Sequence, residues 1–294
     1  MYNVIIWGTG SLYEIYYNSL KLQELIGSIN ILAVISDDIN IKTSIDGYPV
    51  LPVETAFTLD FDYCLLAMDQ ISLVFQAIER LNSLRLTKDK FIPMEVLLIP
   101  NFDFEKYIIL KKSNLSILSS NCWAGFCYHR LGLEFLSPTI NMFFDCRDFN
   151  KFMKDLNYYL SLPVEFVEMC YETNLRRHYP VGVIGDIRLN FNHYTDFDDA
   201  VACWEKRKKR INKNNILAVS YTDQEDVAIE FDNLPYENKI IFTSFENNLQ
   251  SSVYINLEDG EPLWGAVTDA ANGNKNIFDM LALLNHEDDF MRIS

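Results

Sequence analysis

Apolar residues in this chain fall into short runs separated by stretches with helical spacing, and the alternation continues from end to end. Residues 3–7 (NVIIW) and 31–35 (ILAVI) read as buried strands, with a helix between them running to about Leu25. Apolar runs at 62–67 and 95–99 predict two more strands flanking a helix over 70–84, and Pro100 closes this part of the chain. A helix is expected over 102–112, a strand over 115–120, and an amphipathic helix over 148–160 with Phe149, Phe152, Met153, Leu156 and Tyr159 inward. Val183–His193 alternates Ile187, Leu189 and Phe191 with Asp186, Arg188, Asn190 and Asn192, so it reads as one strand with a polar face. A helix from Thr195, strands at 216–220, 239–243 and 252–256, a helix over 223–234 and a last helix over 276–293 complete the pattern. Strand and helix alternation of this kind predicts an α/β protein. Two domains are expected, a parallel-sheet domain at 1–100 and a mostly parallel α/β domain at 113–294, with a connecting helix at 101–112.

Composition narrows the function. With 49% hydrophobic and 22% charged residues among 294, the chain can bury substantial cores. A net charge of -16 makes a general nucleic-acid binder improbable on electrostatic grounds, since a duplex would be repelled. Six cysteines lie in apolar or helical runs without a C-x-x-C pair, which fits reduced thiols and gives no zinc ribbon; no metal is predicted. The opening MYNVIIWGTG lacks a basic leader, and no window approaches the ~18 to 20 apolar residues of a membrane span, so a cytoplasmic protein is expected.

Two places carry candidate chemistry. The first is Gly8-Thr9-Gly10-Ser11 after the first strand, where glycines let the backbone approach a phosphate at a helix N-terminus, with Asp37 at the end of the second strand as the acid for a ribose hydroxyl. Tyr13 occupies the third glycine position, which weakens an ordinary dinucleotide site. The other reading is a tight turn and strand-end acids.

The second place is NCWAGFCYHRLGLEFLSPTINMFF, residues 121–144, at the carboxyl end of the 115–120 strand, where open α/β sheets bind ligands. Asn121, Trp123, Tyr128 and Asn141 are its candidate binding residues. His193 is the candidate general base, with Asp186 orienting it or holding a donor hydroxyl and Arg188 beside it. His129 and His193 have the alternative of binding loop backbone. Asp196-Phe197-Asp198 offers either a metal-binding D-x-D or a helix cap. In the basic run Lys206–Arg210, Arg207 shares a face with Trp204, placing a guanidinium and an apolar anchor beside one pocket or against an anionic membrane surface; a solvated helix end is the alternative. Cys122 would need a nearby cation to react as a thiolate, and covalent catalysis is not expected.

The motifs NCWAGFCYHRLG, SPTINMFF, YPVGVIGDIRLNFNHY and FDDAVACWEKRKKRIN resemble, in that order, a bacterial domain-of-unknown-function family whose members are often labelled exopolysaccharide-biosynthesis proteins. The resemblance covers about residues 113–245. About 70 residues at the start of the chain resemble the small Rossmann-like nucleotide-sugar-binding domain at the N-terminus of sugar acyltransferases and sugar-modifying enzymes, which implies nucleotide contacts at Gly8, Gly10 and Asp37. Together these imply an enzyme of surface-glycan assembly acting on a nucleotide-linked sugar and a glycan acceptor, or a non-catalytic sensing or docking module of the same machinery.

Overall fold

The computed structural model describes residues 1–36, 43–68, 79, 88–173, 176–287 and 289–291. The chain divides into two compact units, Met1–Ile109 with Arg130–Gly132 and Leu110–His129 with Leu133–Ile293. Both are α/β, with parallel sheets built from buried β-branched runs.

In the first unit, β1 (Tyr2–Trp7), β2 (Ile29–Ile35), β3 (Ser44–Ile45), β4 (Tyr48–Leu51), β5 (Tyr63–Leu66) and β6 (Phe91–Pro93) form one sheet ordered β3-β4-β2-β1-β5-β6. All pairings are parallel except the short β3/β4 hairpin. Strand order runs in opposite directions on the two sides of β1, so its carboxyl end lies at a topological switch point. Helix α1 (Ser11–Leu25) starts there, and a short helix α2 (Val53–Ala56) follows β4. The buried face gathers Ile5, Trp7, Ile35, Leu66 and Phe91.

Two expectations in this unit need comment. Of residues 95–99, read as a strand, 95–98 lie instead in a 3-10 turn, Met94–Leu98, after Pro93, and Ile99 is its extended C-cap; a five-residue apolar run does not distinguish the two by itself. The helix expected over 70–84 and the acid Asp37 lie outside the described residues.

Helix α3 (Phe104–Ser113) leads to β7 (Ser116–Ser119) of the second unit, whose parallel sheet is completed by β11 (Ile216–Thr222), β12 (Lys239–Thr243) and β13 (Ser252–Tyr254), in the order β13-β12-β11-β7. A separate antiparallel sheet, β10-β9-β8, is made from β8 (Glu165–Glu172), β9 (Arg177–Ile184) and β10 (Ile187–Asn190). Helices are α4 (Trp123–Arg130), α5 (Cys146–Lys154), α6 (Leu156–Ser161), α7 (Phe197–Lys208), α8 (Glu225–Asp232), α9 (Leu263–Asn272) and α10 (Met280–Leu284). Phe144, Phe149, Phe152, Trp204 and Phe231 fill the core that joins the two sheets.

Four differences from the sequence pattern matter here. Residues 183–193 are not one strand: Gly185, at φ 60°, turns the chain so that Ile184 pairs with Ile187 across a hairpin. The alternation of Ile187, Leu189 and Phe191 with Arg188 and Asn190 lies wholly on the outgoing side; Ile184 and Ile187, paired across the turn and three positions apart, share a face, so the period of two breaks there. The 148–160 stripe is two helices, broken at Asp155, whose φ of -133° and ψ of 55° are not helical. The last helix spans only Met280–Leu284, capped by Asp279 through Ala282 N. Helix α9 was not expected at all, although Pro262 before it and Gly273 at φ 86° after it are ordinary start and stop signals.

Candidate functional site

Strand β7 ends in Ser119-Ser120-Asn121-Cys122 and passes directly into α4. Main-chain donors in that turn are held by neighbouring side chains: Asn121 Oδ1 accepts from Trp123 N at 3.0 Å, and Ser119 Oγ accepts from Ala124 N at 3.1 Å while donating to Asn121 O at 2.6 Å. Asn121 Nδ2 reaches Thr268 Oγ1 on α9 at 3.4 Å. The turn is thereby held, with Cys122 half-buried at its apex.

A second segment is brought against this turn by main-chain bonds. Phe144 N donates to Ser120 O at 2.8 Å, and Phe143 exchanges hydrogen bonds with Asn190 of β10 at 3.0 and 3.1 Å. Three residues beyond Asn190, the chain presents His193, whose Nε2 lies 3.1 Å from Cys122 Sγ. Arg177 Nη2 donates to Asn192 O at 2.7 Å and steadies the same loop.

Burial pushes the Cys122 thiol up to about 11, with a hydrogen bond from Asn192 pulling the other way. Burial, and then the Arg177 charge, lower the pKa of His193. Both groups are therefore neutral near pH 7.

A cavity of about 310 Å³ opens at the same end of the sheet, lined by Cys146, Arg147, Tyr221, Asp223, Gln224 and Trp264 among others. Cys146 Sγ donates to Tyr221 O at 3.0 Å, and burial raises that thiol to about 11. Tyr221 has its own pKa raised by burial and then by Cys146, Asp145, Cys122 and Asp223. Arg147 is held by Asp226 at 2.6 Å and Gln224 at 3.1 Å. A larger hollow of about 540 Å³ opens at the amino ends of the strands, beside Leu217, Lys239 and His286, away from the thiol and imidazole. We place the site at the carboxyl rim, because that is where strand-end side chains converge.

The candidates named from sequence do not all gather there. Asn121 and His193 do. Trp123 is fully buried against Phe242 and Phe278, so it is core and not a ligand contact. Tyr128 is buried, its hydroxyl accepting from Ile117 N at 2.8 Å and donating to Leu115 O at 2.9 Å, which ties α4 to the start of β7. Asn141 holds a left-handed turn at φ 64°, just before the Met142 carbonyl that faces Cys122 Sγ at 4.0 Å.

Asp186 lies in the β9/β10 turn, paired with Tyr159 at 2.9 Å and Lys151 at 3.2 Å, which lower its pKa. Among the described residues its side chain bonds to these two and not to His193. Arg188, on β10, is bound to Glu168 of β8 at 2.6 Å, while Asp186 lies in the turn before that strand. Arg207 donates to Ile140 O at 3.0 Å and Tyr194 Oη at 2.8 Å, with its guanidinium over the Phe135 ring, while Trp204 sits in the core. Asp196 is a cap, its Oδ1 accepting from Asp199 N at 3.0 Å.

In the first unit, Gly8 has φ 122°, and a Cβ there would meet Ala67 O at 2.7 Å; its glycine is required by the approach of β5. Gly10 precedes α1, and no atom of the described residues lies within 4 Å of its Cβ position. Tyr13 is buried, with burial and then Asp46 raising its pKa. Among the described residues no group of three metal-ligating side chains is gathered, and no helix is long and apolar enough to cross a membrane.

Sequence reasoning missed the partnership of Cys122 with His193, 71 positions away. Its local signal was a cysteine directly between a strand and a helix.

The geometry defines an α/β protein with a thiol and imidazole pair at the carboxyl rim of a parallel sheet. Residues 94–286 match the family described as Domain of unknown function (DUF1919), and the chain belongs to that family. Residues 1–92 match the family described as C2185-like, N-terminal. The chain is 31% identical over 138 residues to an uncharacterized protein of Haemophilus influenzae, a match covering 46% of this chain and 64% of that relative's length.

Proposed function

We propose that the protein is a sugar-modifying transferase of surface-glycan assembly, acting on a nucleotide-linked sugar or a glycan acceptor at the carboxyl rim of the second unit. The observation that carries this reading is the 3.1 Å approach of Cys122 Sγ to His193 Nε2, at the end of the sheet where a cavity also opens. A neutral imidazole at a strand end is the group that accepts a proton from an acceptor hydroxyl, and Asn121 supplies a donor amide nearby. The glycan setting comes from the motif resemblance, as does the suggestion that Gly10 leaves room for a nucleotide phosphate in the first unit.

Calorimetric titration of the full chain with a panel of nucleotide sugars, with and without magnesium, tests the reading. Saturable binding to at least one is expected; binding to none overturns it. A second reading, a non-catalytic sensing or docking module, is favoured by the packed state of the first glycine turn, where Gly8 abuts Ala67 and Tyr13 is buried. Replacing His193 by Ala separates the two, because glycan production in cells is lost if the protein is an enzyme and kept if it is a docking module.

A further inference from the structure

We infer that Cys122 is a covalent nucleophile and His193 its general base, so that the rim takes an activated acyl ester or thioester and passes the acyl group to a hydroxyl of the sugar. This deepens the function proposed above and rests on it only for the identity of the acceptor.

Three observations converge on it. The thiol sits at the apex of a strand-to-helix turn whose own donors are already satisfied by Asn121 and Ser119, so the turn presents one side chain rigidly. The imidazole is held at hydrogen-bonding distance by a different segment, through the Phe143/Asn190 and Phe144/Ser120 main-chain bonds. A cavity lined by Cys146 and Tyr221 opens at the same end of the sheet. A nucleophile and a base brought together from separate segments, at a sheet end that also opens a cavity, is the arrangement nucleophilic catalysis needs.

The sulfur is not a resting thiolate. With the thiol raised by burial and the imidazole lowered by burial and Arg177, both are neutral, and in the tautomer that carries the ring proton on Nδ1 the S–H donates to Nε2. Other titratable groups around the pair are Tyr221 on β11 and Cys146 at the start of α5. Nucleophilic attack is then coupled to proton transfer. The Cys122 proton passes to Nε2 as the S–C bond forms at the carbonyl carbon. When the tetrahedral adduct collapses, the bond to the leaving alcohol or thiol breaks and the imidazolium returns the proton to it. The acceptor hydroxyl next attacks the thioester, His193 takes its proton, and C–S cleavage restores the thiol. No oxidant or reductant is consumed.

Carbonyl carbon is the electrophile that fits. Sulfur exchanges readily with esters and thioesters, and the neutral donor Asn121 Nδ2, whose bond to Thr268 Oγ1 is long at 3.4 Å, is the amide to turn toward a developing oxyanion.

The test uses the full chain and p-nitrophenyl acetate, with no sugar present, and reads acetylation of each cysteine by peptide mass mapping. The expected result is an acetyl adduct on Cys122 forming about a hundredfold faster than in His193→Ala or His193→Gln, with Cys203 reacting at one rate in all three proteins. Equal Cys122 rates in wild type and both variants, or no adduct on Cys122, overturns the inference. The Cys203 rate reports folding within each sample. Failure of the sugar reading leaves this acetylation intact, so the two fail separately.

Discussion

The two strand-to-helix turns at the carboxyl ends of β1 and β7 occupy comparable positions in their sheets and use them differently. After β1 the turn is consumed by packing: Gly8 exists because Ala67 O comes within 2.7 Å of where its Cβ would be, and Tyr13 is buried at the start of α1. After β7 the polar side chains close the turn's own hydrogen bonds and leave a thiol facing an imidazole. Position at a sheet rim is thus a necessary condition for chemistry and not a sufficient one; what decides is whether a second segment delivers a partner.

The largest expected effect belongs to the β7 side. Trp123→Ala removes a fully buried indole packed on Phe242 and Phe278 and should cost about 3–5 kcal/mol in urea unfolding, which would confirm it as core. A near-neutral result would restore it as a ligand contact. Next comes Gly8→Ala, expected to cost about 1–3 kcal/mol through strain at φ 122° and the clash with Ala67 O. Gly10→Ala, with no atom of the described residues within 4 Å of its Cβ position, should stay within about 0.5 kcal/mol. If that neutral change nevertheless abolishes nucleotide binding in calorimetry, the β1 turn is a binding turn after all and the contrast between the two regions breaks.

A smaller effect is expected in the pH dependence of stability. The folded pKa of His193 lies below its unfolded value, so below about pH 6.5 the unfolded chain takes up a proton that the folded site resists. Its contribution is complete above that pH and is lost as pH falls through the lowered folded value. His193→Gln should therefore flatten the decline in melting temperature between about pH 7 and about pH 5. The smallest effect is Asp186→Asn: this exposed turn residue, paired with Lys151 and Tyr159, should leave both the melting temperature and Cys122 acetylation unchanged.

Much of the architecture was legible because periodicity reports burial directly. The β1, β2, β7, β11 and β12 runs and the α7 cap at Asp196 all follow from local pattern. What was not legible was long-range. Asp186 was misplaced because the alternation of the outgoing strand was extended back by one residue into a two-residue turn, although the Gly-Asp pair between Ile184 and Ile187, which face the same side, was the available clue. Arg207 looked like an anion ligand because no local pattern reveals that the Ile140 carbonyl and the Tyr194 hydroxyl would claim it. His193 was legible as a candidate, but its partner was not, since nothing near Cys122 in the chain announces a residue 71 positions on.

The cross-link of Phe143 with Asn190 has a further consequence. It fixes which residue of the hairpin's outgoing arm arrives opposite the sulfur, and a slip of one position would swing the ring to the reverse side. Thiol chemistry at position 122 is therefore a sensitive gauge of strand alignment: a variant that retains its helices but pairs out of step would betray itself first by an inert sulfur.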